Sequence, residues 1–354
     1  ARITKPWPSA VNGKVSHLAI LCVRNEGAFL LEWLAHHRAI GFDHVLVFSN
    51  DCDDGTDDML DRLQALGGVT HIRNDGPYEK GGIQFTALKA AAELEIVQQA
   101  DWILPLDVDE FVNIHVGDHS LSALHAALPE ATAITLTWRL FGSADQVRYE
   151  DRPVTEGFTR CAPAVMHWPW RAAMFKTLYR NDGTYAQPGV HRPRGPNPAR
   201  LDQSRWYDGH GRALPDLFKT RRIFSTYGRQ NYGLAQINHY PLGAMESYVL
   251  KADRGRAVHR ADMLGLDYWV ERNFNTETDT TISASAPARA RELAALKADT
   301  TLAALHETAV AWRRTRFDAL MAQEPFRALF GRLLMAPRVM LNYARRAQAT
   351  EPTQ

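Results

Sequence analysis

No stretch of this 354-residue chain carries the roughly 18 consecutive apolar residues that a membrane-spanning helix requires. The opening ARITKPWPSAVNGK also lacks the apolar core of a secretory signal. Cysteine is scarce: Cys22, Cys52 and Cys161 are too few and too widely spaced for a disulfide framework or a zinc site. A reducing cytoplasm is the compartment these absences suggest. Charge of one sign is missing too. The formal net charge is +1 at pH 7, so no overall field draws the chain to nucleic acid. There is neither a G-x-G-x-x-G turn nor a P-loop, which argues against a dinucleotide fingerprint and against ATP held by a Walker lysine. Internal repeats and low-complexity tracts are absent as well.

What is present is a regular alternation over the first 140 residues. The continuous apolar run His17–Val23 (HLAILCV) predicts a strand buried on both faces. Phe29–Ile40 places apolar residues at helical spacing and stops at Gly41. His44–Phe48 predicts a second strand, and Thr56–Leu66 a second helix with acids in its first turn, where the helix dipole favours them. Val69–Ile72 is a short third strand, Gly82–Gln99 a long Ala-rich helix, Trp102–Leu106 a fourth strand and Ala133–Leu140 a fifth. Such alternation predicts an α/β fold with a mostly parallel sheet and helices on both faces. Ligands of such sheets bind beyond the carboxyl ends of the strands. The loops expected there are VRNEG, SNDCDDGT, RNDGPYEKGG and DVDEF, all polar and acid-rich. Residues 141–245 are irregular, and helices return near Ala244–Arg260, 286–308 and 311–348.

The segment DWILPLDVDEF (101–111) runs an apolar strand into Asp107, Asp109 and Glu110. Acids packed this closely repel one another and resist desolvation, so a positive partner is expected among them. Asp107 and Asp109 flank Val108, and alternate residues of an extended chain share a face. Paired carboxylates suit a hard divalent cation, Mg²⁺ or Mn²⁺, whose remaining ligands are commonly substrate phosphates.

CVRNEGAFLLEWLAHHRAIGFDHVLVFSNDCDDGT, followed by DWILPLDVDEF, resembles the GT-A glycosyltransferases, and more narrowly their family-2-like and family-92-like branch. The resemblance is strong over 15–115. It continues more weakly through WRLFGSAD, FKTLYR, PGVHRP and INHYPLGAMESYVLKADRGR. It implies a GT-A, Rossmann-like catalytic domain over 1–260, with a nucleotide-sugar half (15–115) and an acceptor and metal-closing half (130–260). Residues 261–354 would form a helical C-terminal extension. The implied activity moves a sugar from a UDP- or GDP-sugar to a hydroxyl of a carbohydrate or glycolipid acceptor, as in cell-surface polysaccharide or lipopolysaccharide synthesis.

The resemblance also implies roles for particular residues. Asp107 and Asp109 would bridge metal and diphosphate, and Arg24, Asn25, Glu26, Asn50 and Gln84 would line the donor pocket. A late histidine joins the metal, with His239 of INHYP favoured over His191 of GVHRP. Lys251 and Arg254, three apart on one helix face, would meet the leaving diphosphate; Lys176 and Arg180 are an alternative pair. The carboxylate that deprotonates the acceptor is open among Asp145, Glu156, Asp208 and Glu246. Two other functions fit the same scaffold: a nucleotidyltransferase or pyrophosphorylase, and a non-catalytic carbohydrate-binding protein. The stretch 317–348 mixes Phe, Leu and Met with Arg. Either peripheral membrane contact or packing on the catalytic domain or a partner subunit would use such a face.

Overall fold

The apolar runs pair into one nine-stranded sheet. The computed structural model describes residues 16–78, 82–167, 170–255 and 264–336. Strand β1 (His17–Val23) is central, parallel to β2 (His44–Ser49) on one side and to β4 (Trp102–Leu106) on the other. Strand β3 (Val69–Arg73) continues the parallel set beyond β2. Past β4 the sheet changes sense. Strand β7 (Phe175–Arg180) is antiparallel to both β4 and β6 (Ala133–Leu140). The far edge of β6 is divided between β8 (Trp206–Asp208), parallel to its first half, and β9 (Ala235–His239), parallel to its second. Strand β5 (Glu110–Ile114), which sequence reasoning did not anticipate, closes the order antiparallel to β9.

The apolar run of β1 serves two cores at once. Leu18 and Ile20 pack with Ala87, Leu88 and Ala91 of α3 (Ile83–Ala91). Ala19, Leu21 and Val23 face the other way, towards Leu30, Leu31 and Leu34 of α1 (Gly27–Ala39). Removing a Leu or Ile side chain from water at such positions stabilises the fold by about 1.5–3 kcal/mol each. Helix α2 (Thr56–Leu66) joins the α1 side through Met59, Leu60 and Leu63.

The expected helix over Gly82–Gln99 is instead two, α3 and α4 (Glu95–Gln99), separated by an extended Leu94 with φ −82° and ψ 135°. An unbroken helix of that span would run about 27 Å, against the roughly 17 Å of a strand as short as β4. The break lets the chain reverse and enter β4 at Trp102.

Helix α5 (Met245–Arg254) leaves the end of β9. The C-terminal segment forms three helices, α6 (Ala286–Lys297), α7 (Thr300–Met321) and α8 (Glu324–Met335). They form a layer against α1 and α5. Leu296 and Leu302 enter the α1 core, while Leu329 and Leu333 pack with Tyr248 and Val249 of α5. A Cβ added at Gly27, where α1 begins, would lie 2.8 Å from the Ala309 Cβ of α7, so the two helices meet where only glycine fits. Within 317–336 the apolar face of α8 is thus largely covered by α5, leaving Leu334 and Met335 exposed; residues 337–348 lie outside the described residues. No helix among the described residues is long and apolar enough to cross a membrane.

Candidate functional site

A cleft of about 410 Å³ opens where β1, β2 and β4 end. Arg24, Glu26 and Asn50 reach it from the loops after β1 and β2, Gln84 from α3, and Asp107 and Asp109 from the β4–β5 turn. His191, His239, Lys251 and Arg254 close it from the later half of the chain. Asn25, with φ 54°, points elsewhere: its side-chain oxygen accepts the Asp53 N–H at 2.7 Å.

The three acids of DVDEF are met by two lysines. Asp107 accepts from the Lys176 ammonium at 3.0 Å and from the Gln84 amide. Lys176 is 1% exposed and also lies 3.4 Å from Glu110. Burial opposes its charge, but Asp107 and then Glu110 outweigh that and hold the ammonium protonated. Glu110 is fully buried and accepts the Asp107 N–H at 2.9 Å. Burial is the main force on its carboxyl. Lys176 opposes it only in part, and the pKa is pushed up to about 8.

Asp109 faces a different cation. Lys251 donates to it at 2.7 Å and to the Pro241 carbonyl at 2.7 Å, and the His239 Nε2 lies 3.5 Å away. Burial would raise the Asp109 carboxyl, but Lys251 and then His239 hold it well below the usual range. Burial lowers the pKa of His239 itself, although Asp109 pulls the other way. His191 is held by the Phe175 carbonyl at 2.9 Å, and burial pushes it down to about 4. The Trp138 ring lies against both imidazoles, 4.3 Å from His239 and 5.6 Å from His191.

Arg254 forms an ion pair with Glu26 and donates to the Arg24 carbonyl at 2.9 Å. Lys251 and Arg254 therefore do share a helix face, each committed to one acid of the cleft. The alternative pair separates, because Lys176 and Arg180 lie about 13 Å apart along β7, and Arg180 is exposed at the opposite end of the strand. Asn50 lines the cleft, but its amide donates to the Val23 and Phe48 carbonyls and accepts from Asn74, so it serves the turn.

The four carboxylates considered as bases do not line the cleft. Asp145 is exposed in the turn after β6. Glu156 pairs with Arg289 at 3.2 Å, and Glu246 accepts the Tyr149 N–H at 2.8 Å. Asp208 is buried, accepting the N–H groups of His210 and Arg212 and the Arg212 guanidinium at 2.9 Å. Lys176 was legible only as half of a pair, and Glu110 only as one of three crowded acids. Tyr268 and Arg272, which also line the cleft, carry no local signal that separates them from solvated residues.

Comparison with known proteins gives the following. The profile of glycosyltransferase family 92 matches residues 19–195, half of the chain. A glycosyltransferase family 92 protein of Ricinus communis is 26% identical over 160 residues, covering 42% of this chain and 26% of that protein. One from Oryza sativa subsp. japonica is 24% identical over 166 residues, covering 45% of this chain and 26% of its own length. The matched region thus spans about a quarter of either curated relative. Among solved structures, S. aureus TarS in complex with UDP-GlcNAc superposes with a TM-score of 0.35 at 11% identity, covering 80% of this chain and 73% of that one.

Proposed function

Because this chain belongs to glycosyltransferase family 92, we propose that it transfers a sugar from a nucleotide-diphosphate sugar, UDP- or GDP-linked, to a hydroxyl of a carbohydrate or glycolipid acceptor. The observation that carries the reading is the cleft itself. At the carboxyl ends of the parallel strands, two carboxylates one residue apart stand among three cations, the buried Lys176 and the half-buried Lys251 and Arg254. A diphosphate bridged to those acids and flanked by those cations would be neutralised as it leaves.

The donor set fits a divalent ion. Among the described residues no three or more His, Cys, Asp or Glu side chains converge as a ready-made metal shell. Asp107, Asp109 and His239 nevertheless offer hard oxygens and an imidazole that burial favours in its neutral, ligating form. These three would hold Mn²⁺ or Mg²⁺, with phosphate oxygens completing the shell. The ion would supply Lewis-acid stabilisation of the departing diphosphate. Lys251 orients Asp109 and adds positive charge, while Lys176 donates to Asp107 and lies beside Glu110.

The test is thermal shift of the purified chain with UDP- and GDP-sugars, with and without Mn²⁺, together with transfer assays. A rise in Tm that needs both metal and nucleotide, and that disappears in Asp109→Ala, is expected. Wild-type transfer by Asp109→Ala in Mn²⁺ would sink the proposal. Cleavage that depends on a nucleoside triphosphate would point to a nucleotidyltransferase instead.

A further inference from the structure

A second cavity lies directly behind the donor cleft. Glu26, Asp109, Lys251 and Arg254 line both, so the two cavities adjoin along the Asp109–Lys251 and Glu26–Arg254 ion pairs. The other walls come from α1, from the loop after β6 and from α7 of the C-terminal layer, with Phe29, Tyr149 and Trp312 as their aromatic faces.

The charges around this cavity do not cancel. Four carboxylates line it, and each has a cation. Asp109 has Lys251 at 2.7 Å, Asp253 has Arg316 at 2.8 Å, Glu150 has Arg152 at 3.0 Å, and Glu26 has Arg254. Two lining arginines, Arg313 and Arg148, have no carboxylate within ion-pair distance among the described residues. Arg313 is only 6% exposed, and its Nε is buried without a hydrogen-bond partner. Its guanidinium lies over the rings of Phe29 at 4.5 Å and Tyr149 at 4.8 Å. Stacking on two rings offsets part of its desolvation, but the buried Nε–H remains unpaired. Arginine does not shed its proton to escape burial, so an incoming anion is what satisfies it.

We propose that this cavity is the acceptor subsite and that it takes an acidic sugar. The anionic group, carboxylate or phosphate, rests on Arg313 and Arg148, while a hydroxyl faces the Asp109 wall. The assignment rests on the transferase reading above and specifies its acceptor. In the transfer, the acceptor oxygen bonds to the anomeric carbon of the donor sugar as the bond from that carbon to the diphosphate breaks. The hydroxyl proton passes to the Glu26 carboxylate at the shared boundary, and the nucleoside diphosphate leaves with the electron pair. Aromatic faces beside a guanidinium suit such a ligand, since the ring's apolar face and its anion can be met together.

The experiment is thermal shift on the full chain with glucuronate, glucose 6-phosphate, neutral glucose and inorganic phosphate, each with and without UDP and Mn²⁺. The two acidic sugars are expected to raise Tm more than glucose or inorganic phosphate, and to do so with UDP present. Whichever acid binds more tightly identifies the anion. Arg313→Gln and Arg148→Gln should each weaken that binding about tenfold, a loss of about 1.4 kcal/mol, and leave the UDP response unchanged. Arg148 is exposed, so its variant keeps the test open if Arg313→Gln does not fold. Equal shifts from glucose, shifts reproduced by inorganic phosphate alone, no shift from either acidic sugar, or full binding by both variants would each overturn the assignment. Acidic-sugar binding without any UDP binding would remove the donor reading while leaving the cavity's ligand in place.

Discussion

Lys176 projects from β7 to place its ammonium 3.0 Å from Asp107, at the mouth of the neighbouring β4. The side chain is 1% exposed, so this cation is held out of water and depends on its acids. Replacing it by methionine removes the cation of Asp107 and leaves the buried Glu110 carboxyl without its charged partner. Lys176→Met is expected to cost about 3 kcal/mol of stability, the range for breaking one side of a buried pair. Adding Glu110→Gln should restore part of it through coupling. Urea denaturation measures both; a single variant within about 0.5 kcal/mol of wild type would show that water reaches the pair.

Lys251 has a different duty, since its charge sits between Asp109 and the Pro241 carbonyl on the wall shared by both cavities. In the proposed transfer, Lys251→Met removes one cation from the departing diphosphate. A fall in kcat of about 100-fold is expected, the scale for losing one preorganised electrostatic contact. Steady-state assays with varied donor separate this from a binding defect. A change confined to KM would mean that Lys251 only holds the ground state.

Asp54, in the acid-rich loop SNDCDDGT, is a structural clamp. Its carboxylate accepts the Gly27 N–H at 3.0 Å at the start of α1, and the Thr56 N–H at 2.9 Å and hydroxyl at 2.6 Å at the start of α2. One buried acid thus ties two helix N-termini together. Asp54→Ala should destabilise the fold by about 2 kcal/mol, the upper end for a lost cap, with little effect on nucleotide affinity once folded. A stable variant with weakened UDP binding would reverse that assignment.

Acid should weaken the fold through α1. His36 donates to the Val112 carbonyl at 2.7 Å; His37 donates to the Trp33 carbonyl at 2.9 Å and lies 3.3 Å from the Val112 N–H. Burial holds both imidazoles neutral, lowering His36 to about 3 and His37 well below its ordinary value. Both folded-state pKa values are depressed, so below about pH 6.5 the unfolded chain binds protons that the folded chain refuses. The stability they contribute is therefore present above pH 6.5 and is lost as pH falls towards 3. The slope is up to about 1.4 kcal/mol per pH unit for each histidine. Denaturation midpoints between pH 7.5 and 5 should show it, and His36→Gln should flatten it. An unaltered slope in that variant would assign the acid sensitivity elsewhere.

The central strands and the acid-bearing turn could be read from the chain because both are local properties. HLAILCV is apolar at every position that two cores later bury, and WILPL has nowhere to go but into a sheet. The breaks were harder. Leu94 interrupts a stretch of good helix formers because the chain must reverse before β4, a length constraint that propensity does not carry. The nature of the histidines was equally hidden. His36 and His37 look like any pair in a helix until Val112 and Trp33 are placed beside them.

By itself, then, the order of residues determined an α/β framework with carboxylates at the carboxyl end of β4, since burial pattern and spacing act over a few neighbours. Which charges answer those carboxylates was decided only in three dimensions. Lys176 meets Asp107 across 69 residues and Lys251 meets Asp109 across 142. Before folding, each is indistinguishable from a solvated lysine, because the energy of a buried ion pair belongs to its two partners and the water they exclude. Arg313 is the same case without an acid: only the packing of α7 against Phe29 and Tyr149 shows it to be a buried cation still lacking its anion.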